Sequence, residues 1–468
     1  MDNENKLTGG EENKTRVLLE TSCGPLYGLD NGRCNEFRGV RFARARRFEY
    51  AEPVERWEGT LDATAFGPAC PQNRAVHEHL EHPTRRFYKR EYREGQDFTY
   101  DEECLNLNIY APYEAMNAPV IVYFYGGGFD SGVNWESPFE GSALAERGVI
   151  TVFANYRVGV LGYLTHADLY AAYGREGNFG LDDQLTAVRW VRAHIADFGG
   201  DPDNITLMGQ SAGAISIQYL CLNPAHRGLF RRAVMLSGAG KFPKLARPKP
   251  AAKTRDYWEQ FIRLSGCGSF EKLKTTPLKV LFDAVEAIRK QRKDNLYNTM
   301  PVVDGVLIPD RVDRLFRTPL PVDYIIGYTN ADMYAPLLAW IGNRFGRKND
   351  AYIYYFDLDA PGDDNRAFHS SDVRYVFGTL DRSWRPYGER DRQASDEMIA
   401  YLSNFARCGD PNGASDGETV GDSLPEWKKA GHGLRTRVLR IGRKGTRMAH
   451  VRYIKLLRNF LRRSDPIG

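Results

Sequence analysis

The stretch "ITLMGQSAGAISIQYL", Ile205 to Leu220, decides how the rest of the chain reads. An apolar run of β character, Ile205 to Met208, meets a helix-type run, Ala212 to Leu220. One serine, Ser211, stands at the corner, with Gly209 two positions before it and Gly213 two after. The pattern is G-x-S-x-G. A tight strand-to-helix turn pushes the serine Oγ clear of the sheet, and the two glycines avoid Cβ clashes where backbones approach. The helix that follows turns its N-terminal amides toward the same point. The pentapeptide alone is a weak signal; the flanking strand and helix give it weight.

Outward from this corner, β-type and helix-type runs alternate. Residues 120–125, 148–156, 231–238, 323–329 and 351–358 read as strands. Residues 181–199 read as an amphipathic helix, with Leu185, Val188, Trp190, Val191 and Ile195 in its apolar pattern, and further helices are expected near 333–345 and over 395–409. Such alternation predicts the α/β class, with a central, mostly parallel sheet covered by helices on both faces.

The chain has 468 residues, 42% hydrophobic and 26% charged, enough for a sizeable core. A net charge of +4 on that length implies neither a nucleic-acid nor a membrane partner. The first twenty residues are polar and lack an apolar signal core, and no run approaches the ~20 apolar residues of a membrane span. A cytoplasmic location is therefore expected, and the sequons at Asn13 and Asn204 read as chance matches. Residues 1–15 read as a disordered polar tail, and 16–468 as a single domain. Seven scattered cysteines (Cys23, Cys34, Cys70, Cys104, Cys221, Cys267, Cys408) include no Cys-x-x-Cys, so free thiols are expected and neither a zinc site nor a redox pair is. His77, His79 and His82 do not share one helix face and read as a solvated segment rather than a metal site. The basic, amphipathic C-terminal stretch reads as a helix packed by one face on the body.

A serine hydroxyl needs a base to take its proton and donors to hold the developing oxyanion. Gly126, Gly127 and Gly128 follow directly on a strand, where glycines let main-chain amides approach a substrate. The N–H groups of Gly127, Gly128 and Ala212 are the candidate oxyanion donors; a flexible turn is the plainer reading of the three glycines. In chains with this serine motif, acid and base follow the serine in that order. The histidines after Ser211 are His226, His369, His432 and His450. His226 comes too soon to leave room for an acid-bearing strand, whereas His369 follows the strand 351–358 by a polar loop and is preferred as base. Asp332 lies just past the C-terminal end of strand 323–329 and is the candidate acid, with Asp304 and Asp323 as alternatives. Asp332 could equally cap the helix expected after it, and both roles can coexist.

The blocks "FRGVRFA", "EECLNLNIYAP", "YGGGFDSG", "NYRVGVLGYL", "GNFGLDDQLTAVRWVRAHIADFGGDPDNITLMGQSAGA", "FHSSDVRYVFG" and "NFARCGDPNG" together resemble the type-B carboxylesterases. That α/β-hydrolase family includes cholinesterases and bacterial para-nitrobenzyl esterases. The similarity runs from about Cys23 to Trp427. It implies an α/β-hydrolase fold with an N-terminal antiparallel portion and rim or lid insertions near 70–104 and 239–300. It also implies Ser211 as nucleophile, His369 as base, and an oxyanion hole at Gly127, Gly128 and Ala212. Three departures stand out. The family usually has glutamate then glycine where this chain has Asp332-Met333. It often has glutamate before the nucleophile where Gln210 stands, which would remove a second buried carboxylate. Its acid-to-base segment is usually much longer. Cys70 and Cys104 match positions disulfide-bonded in secreted relatives and are expected to lie close together here. The loop between them, with residues 85–100 dense in aromatics and charge, would form a lid or rim, or a plain surface loop.

The expectation is a serine carboxylesterase that acts on a small-molecule ester through an acyl-enzyme, with no metal or organic cofactor. Its rivals are a non-catalytic binding or adhesion module on the same scaffold, and a thioesterase or amidase with the same triad.

Overall fold

The computed structural model describes residues 14–76, 83–240, 246–291, 299–332, 351–413, 424–431 and 435–452. His77, His79, His82 and His432, the helix expected near 333–345 and the basic stretch from 453 onward lie outside them.

The described strands are β1 (Thr15–Leu19), β2 (Leu26–Asp30), β3 (Asn35–Arg41), β4 (Ala43–Arg44), β5 (Glu52–Pro53), β6 (Leu61–Asp62), β7 (Asn106–Ala111) and β8 (Ala118–Phe124), followed by β9 (Ile150–Ala154), β10 (Gly200–Gln210), β11 (Arg232–Leu236), β12 (Asp323–Thr329), β13 (Tyr352–Asp357), β14 (Arg435–Gly442) and β15 (Gly445–Arg452). One large sheet runs in the order β1-β2-β3-β7-β9-β8-β10-β11-β12-β13-β14-β15, with β6 on β2; β4 and β5 pair separately. Strands β9, β8, β10, β11, β12, β13 and β14 run parallel. β1, β2, β3 and β7 join one another and β9 antiparallel, while β6 lies parallel to β2. β1 opens at Thr15, the last residue of the tail expected to be disordered.

The strand runs follow from composition. β8, β9 and β11 are buried along their whole length, as strands covered on both faces must be, and so read as near-continuous apolar runs interrupted only by Thr151 and Arg232. The helix Ala212–Leu222 is likewise buried at every position. Two boundaries differ from the sequence reading. The helix Phe179–His194 ends in a 3-10 turn, Ile195–Phe198, closed by left-handed Gly199. The late helix starts at Glu389, six residues earlier than its apolar pattern, because the Asp391 carboxylate accepts the Gly388 N–H (2.8 Å) and caps a polar first turn.

The parallel register aligns the carboxyl ends of the central strands. β8 ends two residues before the glycine run, β10 ends at Gln210, β12 ends three residues before Asp332, and β13 feeds the loop that carries His369. Ligands of open α/β sheets bind along this edge.

Candidate active site

Ser211 adopts φ 53° and ψ −118° between β10 and its helix. A left-handed non-glycine residue costs about 1–3 kcal/mol and persists only where its surroundings hold it. Its N–H donates to the Leu236 carbonyl (2.8 Å), and its own carbonyl accepts from the Ile215 N–H (3.0 Å). The turn closes because Gly213 is bare. A Cβ there would sit 2.1 Å from the Phe124 carbonyl oxygen on the neighbouring strand.

Across the carboxyl edge, His369 Nδ1 donates to Asp332 Oδ1 at 2.5 Å. The second carboxylate oxygen, Oδ2, accepts the Thr329 N–H (2.9 Å), so the loop after β12 fixes the acid. Asp332 is buried. Burial alone would raise its carboxyl, but the charge and hydrogen bond of His369, the Ser237 hydroxyl and the Thr329 N–H outweigh it and hold it below the usual carboxylate range. For His369, burial lowers the pKa, while Asp332 and the more distant Asp372 raise it further; the net shift is upward.

The other ring nitrogen, His369 Nε2, accepts from the Gln210 side-chain amide at 3.2 Å. With Nδ1 donating to a carboxylate, this is the neutral, Nδ1-protonated tautomer. No direct hydrogen bond joins Ser211 Oγ to the ring among the described residues. Both nevertheless line one cavity of about 260 Å³, with Gly126, Gly127, Gly128, Gln210, Tyr88 and Tyr92. Gly127 has φ 99°, and a Cβ on it would lie 1.9 Å from the Ser131 carbonyl oxygen. Only glycine fits there, so the loop keeps its amides at the cavity wall.

The structure thus brings Ser211, His369, Asp332, Gly127, Gly128 and Ala212 to one strand edge. The alternatives lie elsewhere. Asp304 caps its own turn, accepting from Val306 and Ile308 N–H. Asp323 sits at the opposite end of β12, beside Arg232. His226 is buried against the Leu220 carbonyl, and His450 pairs with Arg437 in the β14–β15 hairpin.

Four features escaped the sequence reading. Gln210 leaves no carboxylate beside the nucleophile, as expected, but Asp372, three residues beyond His369, supplies a buried carboxyl whose charge acts on the histidine. Burial pushes its carboxyl up to about 6, and the Tyr354 hydroxyl donates to it at 2.6 Å. Ser237, after β11, stands beside Asp332 with φ 49°. Gln210 meets the histidine itself. The segment 85–100 is in part a helix, Pro83–Tyr92, whose Tyr88 and Tyr92 hydroxyls donate to the carbonyls of His369 (3.1 Å) and Ser370 (3.4 Å). Ser370 has φ 77°, so these bonds steady a strained piece of backbone. Three-residue spacing from His369 could have flagged Asp372; rotamers decide the other contacts. Cys70 and Cys104 are buried free thiols in contact with each other.

A profile of the carboxylesterase family matches residues 15–346 and 333–455. The para-nitrobenzyl esterase of Bacillus subtilis (strain 168) is 29% identical over 466 residues, covering 85% of this chain and 91% of its own. The bile salt-activated lipase of Mus musculus is 30% identical over 476 residues, covering 80% and 75%. A solved PNB esterase superposes with a TM-score of 0.79 at 25% identity, over 95% of this chain and 99% of its own. The chain belongs to the carboxylesterase family and is, by that membership, a carboxylic ester hydrolase.

Proposed function

We propose that the chain hydrolyses carboxylic esters through a covalent acyl-enzyme formed on Ser211. The observation that carries the reading is the Asp332–His369 hydrogen bond, with His369 and Ser211 lining one cavity. Ser211 Oγ attacks the ester carbonyl carbon, and His369 Nε2 takes its proton. The electron pair of the carbonyl moves onto oxygen, which the N–H groups of Gly127, Gly128 and Ala212 hold; removal of one such donor typically costs about 10²–10³-fold. Collapse breaks the bond to the alcohol oxygen, and His369 returns the proton to it. Water then attacks the acyl carbon by the same route, releasing the acid and restoring Ser211. Asp332 fixes the ring tautomer and stabilises the imidazolium without taking its proton.

Gln210 occupies Nε2 in the resting site. A short swing of its amide, or of the ring, frees that nitrogen for Ser211; catalytic hydrogen bonds commonly tighten only once substrate is bound. The helix Pro83–Tyr92 forms part of the rim, since two of its side chains line the cavity. Esters fit this chemistry better than amides because an alkoxide leaves more readily than an amine.

Ser211→Ala is expected to lower p-nitrophenyl butyrate turnover by on the order of 10⁴-fold or more while circular dichroism stays unchanged. Near wild-type turnover by that variant would refute the reading.

A further inference from the structure

Arg74 is the only lysine or arginine that lines the cavity around Ser211, among the described residues. It stands in the short helix Asn73–Val76. A guanidinium carries five N–H donors. Here one hydrogen bond accounts for it, from Nη2 to Ser131 Oγ at 2.6 Å. The nearest carboxylate oxygen, Glu136 Oε1, is 4.0 Å from Nη1, at the limit of an ion pair. Glu136 also lines the cavity, but that same oxygen accepts from Arg93 Nε at 2.6 Å, so its charge is already paired. Asp130, the other carboxylate whose charge acts on Arg74, is bonded by Arg289 Nη2 at 2.8 Å. Arg74 therefore presents a cation to the cavity with most of its donors unused. Burial pushes the guanidinium down to about 10, which leaves it charged at neutral pH.

Its position relates to the chemistry. Ser131, which accepts from Arg74, donates to the Gly127 carbonyl at 3.4 Å. The cation is thus one hydroxyl away from the glycine loop that faces the ester carbonyl. A second guanidinium, that of Arg85, lies on the neighbouring helix but does not line the cavity. Arg85 shares a helix face with Tyr88 and Tyr92, three and seven residues on. Its Nη1 is out of solvent with no hydrogen-bond partner among the described residues. A planar fork of N–H groups, such as Arg74 presents, matches a carboxylate.

We propose that the pocket selects esters bearing a second group, a free carboxylate a few atoms from the scissile carbonyl, with Arg74 as its counter-ion. This inference rests on the serine-esterase reading and names the substrate class of that site. The competing role for Arg74 is structural, bracing Ser131 and the glycine loop; that role would affect all esters alike.

The test compares two matched pairs at one pH near 7.5. Mono-p-nitrophenyl glutarate against p-nitrophenyl pentanoate places the charge on the acyl side. The acetate ester of 4-hydroxybenzoate against phenyl acetate places it on the alcohol side. The readout is the ratio of kcat/KM, anionic over neutral, in which any common loss cancels. Arg74→Gln is expected to lower that ratio about tenfold or more in at least one pair, the pair that responds showing which side is read, and Arg74→Lys to restore part of it. A ratio unchanged in both pairs, including equal losses on both esters, overturns the proposal. If the wild-type protein turns over none of the four esters, the esterase reading itself has failed; if it turns over the neutral esters with an unchanged ratio, only this inference has.

Discussion

At the scale of single residues, the site turns on what surrounds the His369 ring. One nitrogen faces the Asp332 carboxylate and the other the Gln210 amide. A base must be neutral to take a proton, so kcat/KM rises with pH through the histidine pKa. That pKa is raised, which places the midpoint of the acid limb above the usual value near 6.5. Gln210→Glu puts a negative charge where the amide now touches Nε2. It favours the imidazolium, so the acid limb is expected to move to higher pH; Asp332→Asn removes the main raising charge and should move it lower, with a large loss of rate. A pH profile of kcat/KM checks both, and an unshifted limb in Gln210→Glu would contradict the contact. Ser211, His369 and Asp332 were legible because each follows a strand end at a set place in the chain. The Gln210 contact was not, since a rotamer decides it, and the raised carboxyl of Asp372 was not, since burial decides it, although its three-residue spacing from His369 was there to be read.

At the scale of elements, the nucleophile corner is set by how closely one helix approaches one strand. Gly213→Ala would bring a methyl group to 2.1 Å from the Phe124 carbonyl, and neither backbone can yield cheaply. The variant is expected to unfold at distinctly lower temperature than wild type, measured by differential scanning calorimetry, and to lose esterase activity; a native midpoint would show that the helix can shift. The buried strands were legible as near-continuous apolar runs. The helix Pro83–Tyr92 was not, because the aromatic face made by Phe87, Tyr88 and Tyr92 is set among so many charged residues that the stretch reads as a loop. Its place is set by contacts with the histidine loop, and those are tertiary.

At the scale of the whole molecule, one buried ion pair ties the central sheet to the N-terminal region. Arg157, just after β9, donates from Nε (2.8 Å) and Nη2 (2.7 Å) to Asp183 on the helix Phe179–His194, and from Nη1 to the Glu49 carbonyl (2.7 Å). Its main-chain N–H also bonds Asp183 (2.9 Å). Asp183→Ala leaves that guanidinium buried without its counter-ion, and a loss of about 3–5 kcal/mol is expected. A urea titration that finds an unchanged midpoint would contradict this. The alternation of strand and helix made the parallel sheet legible across the middle of the chain. The β14–β15 hairpin that extends it was not, because its strands are rich in arginine and its edge position needs no continuous apolar run.

The central claim is that Ser211 is the residue that becomes acylated. The direct measurement is to react the protein with a fluorophosphonate ester and locate the adduct by peptide mass spectrometry. One adduct per chain, on the peptide containing Ser211, formed in step with the loss of esterase activity and absent from His369→Ala, is the result predicted. Full inactivation with the adduct on another residue, or undiminished hydrolysis by protein fully modified at Ser211, would contradict it.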